Sequence, residues 1–411
     1  MNRIRENRAS VFSVDTSHIG VLDGVRALGV LCVLWFHFWQ QTWLMPTYAT
    51  PFLAWAGVKS INPDVLRRVG YLCVDLMLLL SAFVLYLPYA RRTFCGTPVD
   101  PVGTFFKKRF ARIVPSYLFA VIVMFAVAMA MGSYKGRASF ALKDLLTHLT
   151  FTQMLFNDTY LFTAITAVMW TVCIEVTFYL IFPLLARAFE RRPLLVYAAM
   201  MLCGVWFTNA VSPALGEPRI MVNRFLTFLP VFANGMMAAY LYVLYAECVR
   251  HKAIPSILGT IAAAAALYLI FRLFRSCAAS GDASHQQVWQ MQYRTVLSLA
   301  FTVFLLGASI SAKPVRKLLD NRVLAAIAAV SYNLYLWHQW LIVKVCTAFG
   351  AKSGADIANG GLNMQWTVTI MGLIVAFTAA ALITYGIEKP VSRLILNTRK
   401  ENKYALYDEG Q

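Results

Sequence analysis

The first apolar segment of the chain reads VLDGVRALGVLCVLWFHFWQQTW from residue 21 to residue 43. Its length suits a helix that crosses the hydrocarbon core of a bilayer, which takes about 20 residues. Two of its residues, Arg26 and His37, are unusual there, because a charge in hydrocarbon is costly unless it is paired or faces a cavity. Their eleven-residue spacing ends only about 20° beyond three full turns, so both side chains share one stripe. We therefore predict a functional polar stripe, in preference to a snorkelling arginine and an isolated hydrogen-bonded histidine.

The rest of the chain repeats this hydrophobic pattern. Of its 411 residues, 59% are hydrophobic and 14% are charged, which excludes an ordinary soluble protein. We predict an all-α integral membrane protein with about ten transmembrane helices. Residues 149–167 could also form a re-entrant or interfacial segment. The predicted spans are 20–42, 71–90, 113–132, 168–187, 193–211, 223–246, 254–272, 294–312, 323–347 and 366–387.

The net charge of +18 could indicate a nucleic-acid partner, but its distribution follows the spans. When loops are assigned alternately to two sides, one side holds 23 lysines and arginines and the other holds nine. Positively charged loops stay in the cytoplasm, so we predict that both termini are cytoplasmic and that no nucleic acid binds. The predicted organisation is a cytoplasmic tail at 1–19, a transmembrane domain at 20–392 and a second cytoplasmic tail at 393–411. A polar start followed by a long span also argues against a cleavable signal peptide.

The eight cysteines do not indicate a metal site. They are scattered, without a C-x-x-C pair or a Cys/His spacing of the kind that binds zinc. We expect neither a metal nor a bound cofactor.

The predicted topology converts residue positions into depths. His37 and His338 both fall in the outer half of the membrane, on the first and ninth spans. Ser331 and Tyr335 share the helix stripe of His338, seven and three residues before it.

Carboxylates are expected at a similar depth. The fourth span runs inward from Trp170, and Thr171, Glu175 and Tyr179 form a line at intervals of four residues. Asp75 begins the second span at its outer end. Two histidines and two carboxylates thus converge in depth, although sequence alone does not say whether they converge laterally.

A second polar cluster lies on the opposite side. The sequence FFKKRFARIVPSY places Arg109 and Arg112 one turn apart where the third span begins. The positive-inside rule explains part of this charge, but neighbouring guanidiniums also bind phosphates in bidentate fashion. A phosphate-bearing ligand inside, with ionisable groups further out, indicates transfer of a group through the membrane.

Six blocks, in order over residues 20–392, resemble the acyltransferase-3 family of integral membrane O-acyltransferases. The blocks are LDGVRALGVLCVLWFHF, VDLMLLLSAFVLYL, KKRFARIVPSYL, MWTVCIEVTFYLIFPLL, SYNLYLWHQW and YGIEKPVSRL. This chain departs from the family pattern at Ala82, where glycine is usual, at Thr171–Val172, where Ser-Leu is usual, and at Lys389, where arginine is usual.

The resemblance implies a multi-pass enzyme of the cell membrane. Its donor would be an acyl-CoA on the cytoplasmic side, with acetyl-CoA the commonest in the family and succinyl or longer chains as alternatives. Its acceptor would be a hydroxyl, often on a lipid-linked sugar or a cell-surface polysaccharide. The implied partners are therefore acyl-CoA, a glycan or related acceptor, and the lipid bilayer.

The implied chemistry needs a base for the acceptor hydroxyl and a stabiliser for the oxyanion, because a thioester is already activated. We predict His37 as the base, Glu175 as its orienting partner and His338 as a second acid/base or acceptor-binding group. The predicted donor-binding residues are Arg26, Arg109 and Arg112. The predicted acceptor or supporting residues are Asp75, Ser81, Trp170, Tyr179, Ser331 and Tyr335.

Three alternatives remain open at this stage. A covalent acyl-enzyme could form on Ser81, Ser331 or Cys173, but none has a base nearby in sequence, so direct transfer is favoured. A transporter or flippase also needs buried charges, yet residues 20–211 and 223–390 lack the similar hydropathy of repeated halves. A different membrane acyltransferase family, built around a His and Asn pair, does not match the Arg–His spacing of the first span.

Overall fold

The computed structural model describes residues 19–44, 48–49, 60–61, 64–248 and 253–396, so most of both predicted tails lies outside the described residues. Ten long helices make up this part of the chain, and we number them in chain order. They are α1 Gly20–Thr42, α2 Cys73–Cys95, α3 Val102–Ala130, α4 Trp170–Arg191, α5 Pro193–Trp206, α6 Leu229–Cys248, α7 Ala253–Ala279, α8 Ala283–Ile310, α9 Arg322–Ala348 and α10 Gly361–Ile383.

Shorter elements connect these helices. The short helices are Asp64–Val69, Ala138–Leu149, Asn157–Leu161, Ser212–Leu215, Pro218–Met221, Lys313–Leu319 and Gly354–Asn359. The 3₁₀ turns are Gly70–Leu72, Gln153–Leu155, Ala167–Met169 and Phe225–Phe228, and the π-helical turns are Phe207–Val211 and Thr384–Glu388. Two antiparallel strands of two residues each, β1 Tyr48–Ala49 and β2 Ser60–Ile61, pair with each other within this otherwise helical architecture.

Nine helical segments of the described part of the chain are long and apolar enough to cross a membrane. The tenth long helix, α9, has 27 residues and packs along α1 and α10. Its mean hydropathy is lowered by polar residues such as Asn333, His338 and Gln339. The prediction of a helical multi-pass membrane protein is therefore confirmed, and the span with the weakest apolar signal carries candidate site residues.

The helices α1 and α9 run parallel. At one end, Gly24 touches the backbone of Leu319, and a Cβ at Gly24 would collide with the Leu319 carbonyl oxygen. At the other end, the Cys346 thiol donates to the carbonyl oxygen of Gln41 at 3.7 Å. We call the end of the bundle where α1 begins the inner end and the end where α1 finishes the outer end.

The last helix, α10, runs back in the opposite direction. Near its start, Gln365 donates to the Trp43 carbonyl oxygen at 2.6 Å, just after α1 ends. Just beyond its end, Glu388 accepts from Asn333, which lies in the first half of α9, at 2.6 Å. The beginning of α1 and the end of α10 thus lie toward the same end of the bundle.

Two helices begin about eleven residues earlier than predicted. The helix α3 starts at Val102, not at residue 113, and α8 starts at Ala283, not at residue 294. The start of α8 has a clear cause, because the Asp282 carboxylate accepts from the backbone N–H groups of Ser284 and His285. The hydropathy pattern did not reveal either start, because polar residues near the beginning of these two helices extend the helix without adding apolar surface.

Residues 149–167 form short helical pieces that reach into the bundle. Tyr117 of α3 donates to the His148 carbonyl oxygen at 3.0 Å and accepts from Gln153 at 3.2 Å. Tyr117 lies thirteen residues before the end of α3, which favours a re-entrant arrangement. Outside the spans, the Lys143 ammonium donates to Asp158 and holds the pKa of that carboxyl below its usual value.

Candidate active site

A cavity of about 90 Å³ lies in the inner half of the bundle, between α1, α2, α3, α4 and α9. Its charged lining consists of Arg26, Arg109, Arg112 and Glu175. Three guanidiniums against one carboxylate give this space an excess of positive charge, which suits an anionic ligand. We call it the arginine cavity.

The helix α3 supplies two of these arginines. Arg109 and Arg112 face the same way because residues three apart are neighbours on a helix. The Arg109 guanidinium lies 6.0 Å from the ring centroid of Tyr179 and 5.8 Å from that of Phe105. Its buried Nε has no hydrogen-bond partner among the described residues, so it can donate to an incoming anion.

The predicted line on α4 faces this cavity. Thr171, Glu175 and Tyr179 all line it, as their spacing predicts. Glu175 Oε1 accepts from Ser81 Oγ at 2.6 Å and from the Tyr179 hydroxyl. These bonds keep the carboxylate beside the arginines, so the structure does not bring Glu175 to His37, the residue it was predicted to orient.

A larger cavity of about 730 Å³ lies toward the outer end. Amide and aromatic side chains dominate its lining, with Arg68 and Asp282 as its charged residues. We call it the glutamine cavity. Its amides are Gln40, Gln41, Asn223, Gln286, Gln287, Gln290 and Gln339, and its aromatics are Phe36, Trp39, Trp43, Tyr71, Trp170 and Tyr335. Amides both donate and accept hydrogen bonds and aromatic faces cover apolar surface, so this lining suits an uncharged, hydroxyl-rich ligand.

The two predicted histidines meet beside this cavity, which His37 lines and His338 does not. The ring centroids of His37 and His338 lie 5.0 Å apart, because α1 and α9 run parallel in contact. The Nδ1 of His338 lies 2.7 Å from the Tyr335 carbonyl oxygen, which can only accept, so Nδ1 carries the proton. Its Nε2 therefore holds the lone pair, and it is buried without a hydrogen-bond partner among the described residues.

Two glutamines lie beside His37 Nδ1, Gln40 Oε1 at 3.0 Å and Gln339 Nε2 at 3.3 Å. An amide oxygen only accepts and an amide nitrogen only donates, so the two bonds belong to different tautomers. The shorter contact, to Gln40, is made by the tautomer that carries its proton on Nδ1. The ring lines the glutamine cavity with its remaining nitrogen available. Both glutamines were missed from the sequence, although each lies within a helical turn of a predicted histidine.

The two cavities share Val74 and Tyr335 in their linings. Arg26 lines one cavity and His37 the other, so α1 contributes one residue of the predicted stripe to each cavity. Of the other predicted residues, Ser81 and Ser331 line the arginine cavity.

Asp75 lines neither cavity. It is fully buried, and its Oδ2 accepts from Arg294 Nε of α8 at 3.1 Å. Arg294 also donates to the Val222 carbonyl oxygen at 2.6 Å and to Thr227 Oγ1 at 2.7 Å. The depth predicted for Asp75 did not reveal that its side chain faces α8, and the structure does not bring it together with the histidines. Arg294 was missed as its partner, although an arginine at the start of a predicted span was a usable signal.

Comparison with known proteins places the chain among acyltransferases. The acyltransferase domain of the acyltransferase-3 family matches residues 19–385. A protein of Acidianus two-tailed virus that is named as an acetyltransferase is 23% identical over 81% of this chain and 86% of its own length. The acyltransferase MdmB of Streptomyces mycarofaciens is 22% identical over 91% of this chain and 92% of its own length. No solved structure matches the chain. With nearly its whole length matched and its apolar helices in place, the chain belongs to the acyltransferase-3 family and is a multi-pass membrane acyltransferase.

Proposed function

We propose that this enzyme moves an acyl group, acetyl in the first instance, from cytoplasmic acyl-CoA to a hydroxyl of a glycan or related acceptor at the outer face of the cell membrane. One observation carries the proposal. A cationic cavity toward the inner end meets a neutral, amide-lined cavity toward the outer end at Val74 and Tyr335. The two cavities match the chemistry of a charged donor and an uncharged acceptor.

The donor matches the arginine cavity in charge. The nucleotide end of CoA carries phosphates, and Arg26, Arg109 and Arg112 offer guanidiniums that bind such groups in bidentate fashion. The pantetheine arm is thin and uncharged, so it can lie between helices while the nucleotide stays at the inner end. Glu175 keeps the cluster from carrying three unbalanced charges before the donor arrives.

The base for the acceptor hydroxyl is His37. Gln40 accepts its Nδ1 proton, which leaves Nε2 to take the proton of an acceptor hydroxyl in the glutamine cavity. The alkoxide oxygen then bonds to the thioester carbon, the carbon–sulfur bond breaks, and the CoA thiolate leaves with its electron pair. His338, with its free Nε2 beside the His37 ring, is the second acid/base group.

Direct transfer fits this arrangement better than an acyl-enzyme. Ser331 Oγ donates to the Ala328 carbonyl oxygen at 2.8 Å, and Cys173 Sγ donates to that of Met169 at 3.7 Å. Ser81 does have a carboxylate 2.6 Å away, but it lines the arginine cavity and not the glutamine cavity. An acyl group on Ser81 would therefore be held apart from an acceptor beside His37.

The proposed orientation has both termini in the cytoplasm, with 20–392 as one transmembrane unit. The bias of 23 against nine basic residues supports it. The contacts that bring the start of α1 and the end of α10 toward one end of the bundle support it as well. Most of the tails at 1–19 and 393–411 lies outside the described residues.

Sealed membrane vesicles of known orientation test the proposal. Radiolabelled acetyl-CoA is placed on one side only, and surface glycan extracted from the source cells is placed on the other. Label should reach the glycan only when acetyl-CoA is on the cytoplasmic side. Labelling only when both substrates share the cytoplasmic compartment would refute transfer across the membrane. Movement of unmodified glycan across the vesicle, with no label transferred, would favour a flippase instead.

A further inference from the structure

Two side chains line both cavities and therefore lie at the wall between them. Val74 comes from the start of α2 and Tyr335 from the middle of α9, and each is 6% exposed. The cavities differ about eightfold in volume, about 90 Å³ against about 730 Å³. The restricted space therefore lies on the donor side of the wall.

Both side chains are held in place. The Tyr335 hydroxyl donates to the Val168 carbonyl oxygen at 3.3 Å, and its ring centroid lies 5.6 Å from that of His338. Val74 is next to Asp75, which the buried ion pair to Arg294 ties to α8. A wall fixed on both sides can discriminate by size, because packed side chains yield little to an additional methylene.

The position of the wall matters for the reaction proposed above. The thioester arrives from the arginine cavity, and the acceptor oxygen arrives from the glutamine cavity beside His37. The carbonyl carbon must therefore reach the level of Val74 and Tyr335 for the new bond to form. The part of the acyl group beyond the carbonyl must then fit against these two side chains.

We propose that Val74 and Tyr335 form the acyl-selectivity wall of this enzyme, which admits an acetyl group and excludes longer chains. The inference rests on the proposed acyl-CoA-dependent function. It assigns the choice of acyl group to the junction of the two cavities and not to the arginines that hold the donor. One methylene in a close-fitting pocket changes discrimination by about 10- to 200-fold, so two added methylenes are a measurable probe.

The test compares acetyl-CoA with butyryl-CoA as donors for surface glycan in vesicles from source cells that carry each variant. Val74→Ala should raise the butyryl-to-acetyl ratio of kcat/KM about tenfold or more, because it removes two methyl groups from the wall. Val74→Ile adds a methylene and should lower the ratio. Tyr335→Phe keeps the ring but loses the bond to Val168, and it should shift the ratio in the direction of Val74→Ala.

Val84→Ala is the matched control, because Val84 lines the arginine cavity but not the wall. The butyryl-to-acetyl ratio of kcat/KM in Val84→Ala should stay at the wild-type value. An unchanged ratio in both Val74 variants, with acetyl transfer intact, would overturn the wall while leaving the proposed function standing. An equal rise in Val84→Ala would overturn it too, since the whole cavity would then set acyl size. If the wild-type chain transferred neither acyl group from CoA, the proposed function would fail and this inference with it.

Discussion

The arginine cavity and the glutamine cavity use different means of recognition within one bundle. The first holds three guanidiniums and one carboxylate in about 90 Å³, whereas the second holds seven amides, one arginine and one aspartate in about 730 Å³. A small cationic space selects by charge, and a large neutral space selects by hydrogen bonding and shape. Under the proposed function, we therefore expect the donor to be bound by its charge and the acceptor by its hydroxyl groups.

The two regions also place their ionisable groups differently. Glu175 already accepts hydrogen bonds from Ser81 and Tyr179, whereas the Nε2 of His338 has no hydrogen-bond partner among the described residues. Arg109 Nε in the arginine cavity is also buried without a partner among the described residues, so each region keeps a group available for its ligand. Variants on each side of the wall should therefore affect different kinetic constants.

The largest effect is expected from His37→Ala on the acceptor side. Loss of a general base lowers the rate by about 100- to 10,000-fold, so kcat should fall by that factor while donor affinity stays near its wild-type value. Steady-state transfer assays with purified protein measure kcat and the dependence of the rate on donor concentration. His285→Ala is the control, because His285 is exposed at the start of α8 and bonds to Asp282. Near-normal turnover of His37→Ala would show that another group is the base.

The second-largest effect is expected from Asp75→Ala, which tests whether Asp75 stabilises the fold or contributes to one of the two cavities. Removing one partner of a buried ion pair costs about 3–5 kcal/mol, so Asp75→Ala should lower the unfolding temperature strongly in a thermal unfolding assay. The double variant Asp75→Leu with Arg294→Met should recover much of this loss, since no unpaired charge remains. Normal stability with a raised acceptor KM would restore the acceptor role predicted from sequence.

A smaller effect is expected from the arginine cavity. Each lost charge-assisted bond to phosphate costs about 1.5–3 kcal/mol, so Arg109→Ala and Arg112→Ala should each weaken acyl-CoA binding by about 10- to 150-fold. Isothermal titration with acetyl-CoA measures the change. Lys108→Ala removes the same charge from α3, but its ammonium bonds to Asp100 at 2.5 Å, so it should change binding little. Equal weakening in all three variants would mean that overall charge, not this cavity, binds the donor.

The smallest effect is expected from a single amide. Gln287→Ala removes one of seven amides from the glutamine cavity, and a neutral hydrogen bond contributes about 0.5–1.5 kcal/mol. The KM for extracted surface glycan should therefore rise by about 2- to 12-fold, with acetyl-CoA affinity unchanged. A change in acetyl-CoA affinity would show that the two cavities are not separate in recognition.

Much of this molecule was determined by the sequence locally. Helix periodicity placed Arg26 and His37 on one stripe, Arg109 and Arg112 on one face, and Glu175 in line with its neighbours on α4. These predictions succeeded because rotation of about 100° and rise of about 1.5 Å per residue are fixed within each helix. The same regularity gave the depth of each polar group and the approximate number of spans.

The lateral arrangement was decided only by the tertiary structure. Sequence placed Glu175, Asp75 and the two histidines at similar depths, but packing sent Glu175 to the arginines and Asp75 to Arg294. Packing of α1 against α9 also placed the ring centroids of His37 and His338 5.0 Å apart. Such choices depend on which helices lie side by side and how closely they approach. Contacts between distant segments fix those neighbours, such as Gly24 against Leu319, and no helix encodes them by itself.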